Sequence, residues 1–223
     1  MKKLGYSGVD MDWEGIGSKD EQANLEALVA EIRKRLPRPL LITQAVGAGI
    51  WGNQYVDSQK MLPYIDFLNL MTYDFSGPWS QTAGHNAPLS FCESSIAFWN
   101  GKQGWPKPRL NLGIPIYGRG FRAGALGGKT TGNYERSYVD LKEVQKLTQA
   151  GWTAQTDPKD QVPYLIKPDA SELVSYEDAT SARIKGAWAK KQGLCGVFFW
   201  ELSGDRTEHK ESVLQAAREG LLK

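Results

Sequence analysis

The sequence predicts an α/β protein built from parallel βα units, on three observations. Strand-length apolar runs alternate with segments of helical periodicity. Hydrophobic residues make up 41% of the 223, enough for a full core, yet no run approaches a membrane span. One region rich in Gly, Thr and Asp, residues 122–175, breaks the rhythm. The elements follow in order. Residues 6–13 form a short strand pattern ending in acids. Residues 21–36 place Leu25, Leu28, Val29, Ile32 and Leu36 at helical spacing, and Pro37 closes the segment. A second strand spans 40–46. A loop containing Trp and Gly and an amphipathic stretch at 58–64 lead to a third strand at 67–75. Residues 76–89 are a loop rich in Gly, Pro and Ser, and 91–99 a helix. The fourth strand, 110–117, is interrupted by Gly113 and Pro115. Residues 183–192 are helical, 196–201 form the fifth strand, and 209–222 a terminal helix with Val213, Leu214, Ala217 and Leu221 on one side.

Region 122–175 carries Tyr134, Tyr138, Trp152 and Tyr164 in short pieces, which predicts small antiparallel strands, with one helix near 140–150. It reads as a small α+β insertion between the fourth and fifth strands. The chain then divides into 1–121, 122–175 and 176–223. Without the insertion about 170 residues remain, and five-eighths of a typical ~250-residue (β/α)8 barrel is about 156. The arithmetic predicts strands four to eight of such a barrel, with the first three absent.

Charge and cysteine usage exclude several functions. The net charge of +2 comes from 27 basic and 25 acidic residues, scattered along the chain, so there is no nucleic-acid footprint. No membrane partner is expected. Cys92 and Cys195 lie in apolar segments without a CxxC or Cys/His spacing, and both read as buried, inert thiols. His85 has no second His or Cys near it, so a hydrogen-bonding role in its loop outweighs metal binding, and no metal or cofactor is expected. Met1-Lys2-Lys3 is not followed by an apolar signal-peptide core. The 8 Trp and 9 Tyr suit a core, and they also suit flat rings stacking on sugars.

The most informative segment is Gly8-Val9-Asp10-Met11-Asp12-Trp13-Glu14. On a strand, Asp10, Asp12 and Glu14 project from one face, while Val9, Met11 and Trp13 project from the other and want burial. Carboxylates about 7 Å apart repel, which pushes at least one pKa upward and leaves a protonated acid available. General acid cleavage of a glycosidic bond needs that group.

This segment resembles the Asp-Gly-x-Asp-x-Asp-x-Glu signature of the family 18 glycoside hydrolases, the chitinases, with Ser7 where the family usually has its first Asp. Three further segments follow in family order. Leu70-Met71-Thr72-Tyr73-Asp74-Phe75 resembles the sixth-strand motif, with Gly84–Leu89 as its following loop. Gly113–Phe121 resembles the seventh, and Gly196–Glu201 the eighth with its sugar-stacking Trp200. The family's third-strand Ser-x-Gly-Gly is nowhere in the chain, in agreement with the strand arithmetic.

The resemblance implies cleavage of β-1,4-linked N-acetylglucosamine polymers by substrate-assisted retention. Glu14 would be the general acid, Asp12 would hold the acetamide N–H, and Asp10 would set Asp12's proton and orientation. Tyr73 would donate to the acetamide carbonyl, and Asp74 would bond the bound sugar. Trp200, Met71, Tyr117, Arg119 and Trp79 would contact substrate, while Trp99, Trp105, Trp152 and Trp188 read as packing. The implied partner is chitin or a chitooligosaccharide, the full-length form a monomer, and the location extracellular. Two alternatives stand beside this reading. One is a lectin on the same scaffold, a class that typically loses the Glu present here as Glu14. The other is an incomplete, inactive or weakly active fragment.

Overall fold

The computed structural model describes residues 2–49, 51–130, 134–205 and 212–223. In chain order its main elements are β1 (Gly8–Met11), α1 (Lys19–Arg35), β2 (Leu41–Gly47), α2 (Ser58–Met61), β3 (Phe67–Met71) and α3 (Leu89–Ile96). They continue with β4 (Leu110–Pro115), β5 (Tyr117–Phe121), β6 (Val139–Asp140), α4 (Leu141–Gln149), β7 (Thr153–Thr156) and β8 (Pro163–Ile166). The last are β9 (Leu173–Ser175), α5 (Ala179–Gln192), β10 (Gly196–Trp200) and α6 (Val213–Leu222). One sheet has the order β1-β2-β3-β4-β10 with all pairs parallel, a half-barrel consistent with part of a (β/α)8 barrel. The other, β6-β5-β9-β8-β7, is antiparallel and carries α4.

Burial explains why the central strands read as apolar runs. β2 is buried at five successive positions, because one of its faces meets α1 and α2 and the other lines the barrel interior. Leu25 and Val29 of α1 join Ile42, Val46, Met61, Ile65 and Leu68 in one cluster. A second cluster joins Ile114 to Leu141, Val144 and Leu147 of α4 and to Ala182, Val213, Ala216 and Ala217 of α5 and α6. That cluster seats the antiparallel sheet on the half-barrel.

Several boundaries differ from those read in the sequence. β1 stops at Met11, and Trp13, expected inside with Val9 and Met11, lies past the strand end, is 37% exposed and does not join the cluster that takes in Val9 and Met11. β3 stops at Met71, after which Asp74 takes a left-handed φ of 59°. Segment 110–117 is two strands: β4 ends at Pro115, with a last bond from Ile116 N–H to the Trp200 carbonyl at 2.6 Å, and the chain then pairs with β6 from Tyr117 and with β9 from Arg119. The boundary between the two sheets thus falls at Ile116, ahead of the division at 121. Its cause lies in the partner strands. α3 starts at Leu89, and a π-helical turn over Ala97–Lys102 continues it. α5 begins earlier than 183, where Asp178 accepts from the N–H groups of Thr180 and Ser181 while Ser181 Oγ accepts from Asp178 N–H. Of the terminal helix, residues 209–211 lie outside the described residues, and α6 begins at Val213. Cys92 is buried as expected, whereas Cys195 is exposed, since it precedes β10 in the turn after α5.

One buried ion pair ties the loop after β3 to the helical layer. Lys185 of α5 pairs with Glu177 and donates to the carbonyl of Ala87 at 2.6 Å, and Ser181 Oγ donates to Glu177 at 2.7 Å. Truncating either charge would strand the other in the interior.

Candidate functional site

A cleft of about 490 Å3 opens at the C-terminal ends of β1, β2, β3, β4 and β10, where barrel folds place their chemistry. Asp10, Asp12 and Glu14 line one wall, and Met71, Tyr73 and Asp74 follow β3 on another. Tyr117, Arg119 and Tyr138 come from the antiparallel sheet and its loops, and Trp200 ends β10.

Tyr73 reaches this position because β4 has no side chain at Gly113. A Cβ there would stand 2.9 Å from the Tyr73 ring, 2.9 Å from the Phe198 ring and 2.5 Å from the Leu70 carbonyl. The interruption seen in the fourth strand is thus a seat for an aromatic ring. Burial, together with the charges of Asp74, Asp12, Glu14 and Asp10, pushes the Tyr73 hydroxyl far above its ordinary value, so it remains a proton donor.

Glu14 is also shifted upward, first by burial and then by the neighbouring charges of Asp12 and Asp74. Asp10 accepts at Oδ1 from Asn69 Nδ2 at 3.0 Å and from Thr43 Oγ1. Asp74 is clamped. Its Oδ1 accepts from Tyr117 Oη at 2.8 Å, Arg119 Nε at 2.8 Å and Arg119 Nη2 at 2.7 Å. Its backbone N–H donates to Asn86 Oδ1 at 2.8 Å, which supports the left-handed turn. The Tyr117 hydroxyl is pushed far upward by burial, then by Asp74.

Nine of the ten residues singled out in the sequence line this one cleft. Trp79 does not. It is 58% exposed, and its ring centroid lies 5.2 Å from the Arg119 guanidinium, so it meets the cleft only through Arg119. His85 sits in its loop between Ser175 Oγ at 3.2 Å and Asp157 Oδ2 at 3.0 Å. Burial works to raise Asp157, but the bonds from His85 and from two backbone N–H groups outweigh it and hold the carboxyl low.

Sequence reading missed several cleft residues. Trp51, 91% exposed, lies in the loop after β2 that was noted only for its composition. That loop is held by Asn53, which donates to the carbonyls of Gly47 and Gly49. Tyr138 stacks on Tyr117 with centroids 4.6 Å apart and planes 14° off parallel. Tyr138 has no local signal, because it owes its place to Tyr117 on β5. Among the described residues no group of three or more His, Cys, Asp and Glu has the arrangement of a metal site.

Comparison with known proteins bears on this geometry. A family model, Glycosyl hydrolases family 18, matches residues 1–205. Chitinase A1 of Niallia circulans is 31% identical over 259 residues, an alignment covering 97% of this chain and 37% of that protein. The chain therefore spans little more than a third of that relative's length. Among solved structures, a class V chitinase from Nicotiana tobaccum superposes with a TM-score of 0.89 at 25% identity, covering 99% of this chain and 70% of the other. A mutant of that class V chitinase in complex with NAG4 gives 0.88 at 25% identity, covering 98% and 70%.

Proposed function

We propose a function for this chain from one premise: it belongs to glycosyl hydrolase family 18. The proposed reaction is hydrolysis of β-1,4-linked N-acetylglucosamine polymers with retention, assisted by the substrate's own acetamide. The observation that carries it is the grouping, in one cleft, of an upward-shifted Glu14, the adjacent Asp12 and a Tyr73 hydroxyl held as a donor.

Glu14 has no hydrogen-bond partner among the described residues, and burial and like charge favour its protonated form. It gives that proton to the leaving glycosidic oxygen. The acetamide carbonyl attacks the anomeric carbon, the bond to the leaving sugar breaks, and an oxazolinium ion forms. Asp12 accepts the acetamide N–H and offsets the positive charge, while Tyr73 donates to the carbonyl oxygen. Glu14, now a carboxylate, takes a proton from water as that water opens the ring. Asp74, fixed by Arg119 and Tyr117, is left with Oδ2 free to bond the sugar. Trp200, 50% exposed at the end of β10, offers a flat face to a sugar ring. Action on an extracellular polymer belongs to the same proposal.

The test compares chitotetraose with its fully deacetylated counterpart and adds a thiazoline mimic of the oxazolinium ion. The acetylated substrate alone should be cleaved, and the mimic should inhibit. Comparable cleavage of the deacetylated substrate would replace the acetamide with a carboxylate nucleophile.

A further inference from the structure

Beneath the acid ladder, a row of polar side chains crosses the inner face of the half-barrel, and the steps above leave most of it without a task. Asn111 on β4 donates from Nδ2 to Asn69 Oδ1 at 3.0 Å, and Asn69 on β3 donates from Nδ2 to Asp10 Oδ1 at 3.0 Å. Thr43 on β2 donates from Oγ1 to the same oxygen. Strand register brings them together, since Asp10 lies opposite Thr43 and Asn69 opposite Asn111. Leu68, Leu70, Leu110 and Leu112, which alternate with these asparagines, are buried toward the helices. Gly196, opposite Asn111 on β10, leaves the row its room, for a Cβ there would stand 3.3 Å from Asn111 Oδ1.

The row has a direction. A carboxamide can turn either its oxygen or its NH2 toward a neighbour, and Asn111 decides which by donating to the oxygen of Asn69. Asn69 must then present its NH2 to Asp10. Two donors converge on Asp10 Oδ1 and hold it as an acceptor, so a proton on Asp10 is confined to Oδ2. Asn69 and Asn111 are only partly buried, so water could satisfy their amides, and the chain of bonds is not imposed by desolvation.

We propose that Asn69 and Asn111 are positioning residues for the acid ladder: Asn111 fixes which way the Asn69 amide faces, and Asn69, with Thr43, fixes which oxygen of Asp10 exchanges a proton with Asp12. The inference deepens the proposed function and rests on the role that the family resemblance implies for Asp10, that of setting the proton and orientation of Asp12.

The experiment measures kcat, KM and the pH profile on chitotetraose, with thermal unfolding as a check on the fold. Asn69→Leu removes a donor from Asp10. Asn111→Asp offers only acceptors, so Asn69 must turn its NH2 away and its oxygen toward Asp10, although position 111 touches no acid. Each variant should lower kcat roughly tenfold or more, as for one lost hydrogen bond to a charged group, with KM within about twofold. The pH profile of kcat should change in Asn69→Leu, because Asp10 has lost a donor that fixed one of its oxygens as an acceptor. The other titratable or charged groups around Asp10 are Asp12 and Glu14 beyond β1, Tyr73 and Asp74 beyond β3, and Tyr117 and Arg119 on β5, and none is altered. The double variant should be no slower than Asn69→Leu alone, since position 111 acts through position 69. Should Asn69→Leu fail to fold, Thr43→Val removes the other donor and carries the same expectation. An unchanged profile in folded variants, or additive losses in the double variant, overturns the positioning role and leaves the proposed function intact. Absence of cleavage by the unsubstituted protein overturns both.

Discussion

The cleft holds two kinds of carboxylate, and the contrast between them divides the labour of the site. Asp74 is over-determined: three donor groups converge on one of its oxygens, its backbone is bonded to Asn86, and three aromatic rings surround the guanidinium that grips it. Those rings, Trp79, Tyr117 and Tyr138, stand 5.2, 5.1 and 5.5 Å from the Arg119 guanidinium carbon. Asp12 and Glu14, across the cleft, have no hydrogen bond from any described residue. Fixed donors hold Asp74 in one place, which suits a group that binds. Glu14, left to burial and like charge, is shifted toward its protonated form, which suits a group that gives up a proton. The difference teaches where each group's partner is found: Asp74 has it in the protein, and the ladder is left to find it in the substrate.

The largest expected effect comes from removing the mobile proton. Glu14→Gln keeps the shape of the side chain but has no proton to give, so kcat on chitotetraose should fall by about 10²–10⁴ while binding persists. Calorimetry on the variant checks the second half. If turnover is unchanged, Glu14 is not the acid and the contrast fails at its centre.

A smaller effect sharpens the same side of the comparison. Glu14 lies above its ordinary value through burial first and Asp12 second. As the general acid it must be protonated, so kcat/KM falls on the alkaline side as pH rises through the Glu14 pKa. Asp12→Asn removes the like charge, which lowers that pKa and moves the alkaline limb to lower pH. The limb should stop short of the ordinary glutamate range, since burial and Asp74 remain. The pH profile of the residual activity reads the shift directly. A limb that does not move would mean that the ladder residues do not sense one another.

The two sides were not equally legible in the sequence. The ladder could be read because all three acids lie within five residues and the alternation of a strand is local. Its strand is nevertheless shorter than its pattern, and Trp13 ends up at the surface. The clamp was legible only in pieces. Asp74, Tyr117 and Arg119 could be named through family resemblance, but their convergence on one oxygen joins residues more than 40 apart. Tyr138 carried no signal because its role exists only once the antiparallel sheet has docked. The break at Ile116 was hidden for a related reason. The apolar run continues through it, and only a change of partner strands, from β3 and β10 to β6 and β9, ends one sheet and begins the next. The asparagines of β3 and β4 carried no signal, since what they bond lies across the sheet.

The smallest effect tests the rigid side. Tyr138 touches Asp74 only at second hand: it stacks on Tyr117 and covers one flank of the Arg119 guanidinium. Removing it in Tyr138→Ala leaves the three bonds to Asp74 Oδ1 intact, along with the 3.3 Å bond from Arg119 Nη1 to the Ser137 carbonyl. The loss is that of one aromatic pair, about 0.5–1.5 kcal/mol beyond buried area, part of it in stability and part in sugar binding. KM for chitotetraose should rise roughly threefold, with kcat changed less, and Tyr138→Phe should match the unsubstituted protein because the ring carries the contact. A collapse in Tyr138→Ala on the scale expected of Glu14→Gln would show that the rings hold the clamp together. A loss in Tyr138→Phe would assign the contact to the hydroxyl. In either case Asp74 would depend on the packing around Arg119 more than on its own three donors, and the contrast between a self-sufficient clamp and a substrate-dependent ladder would have to be redrawn.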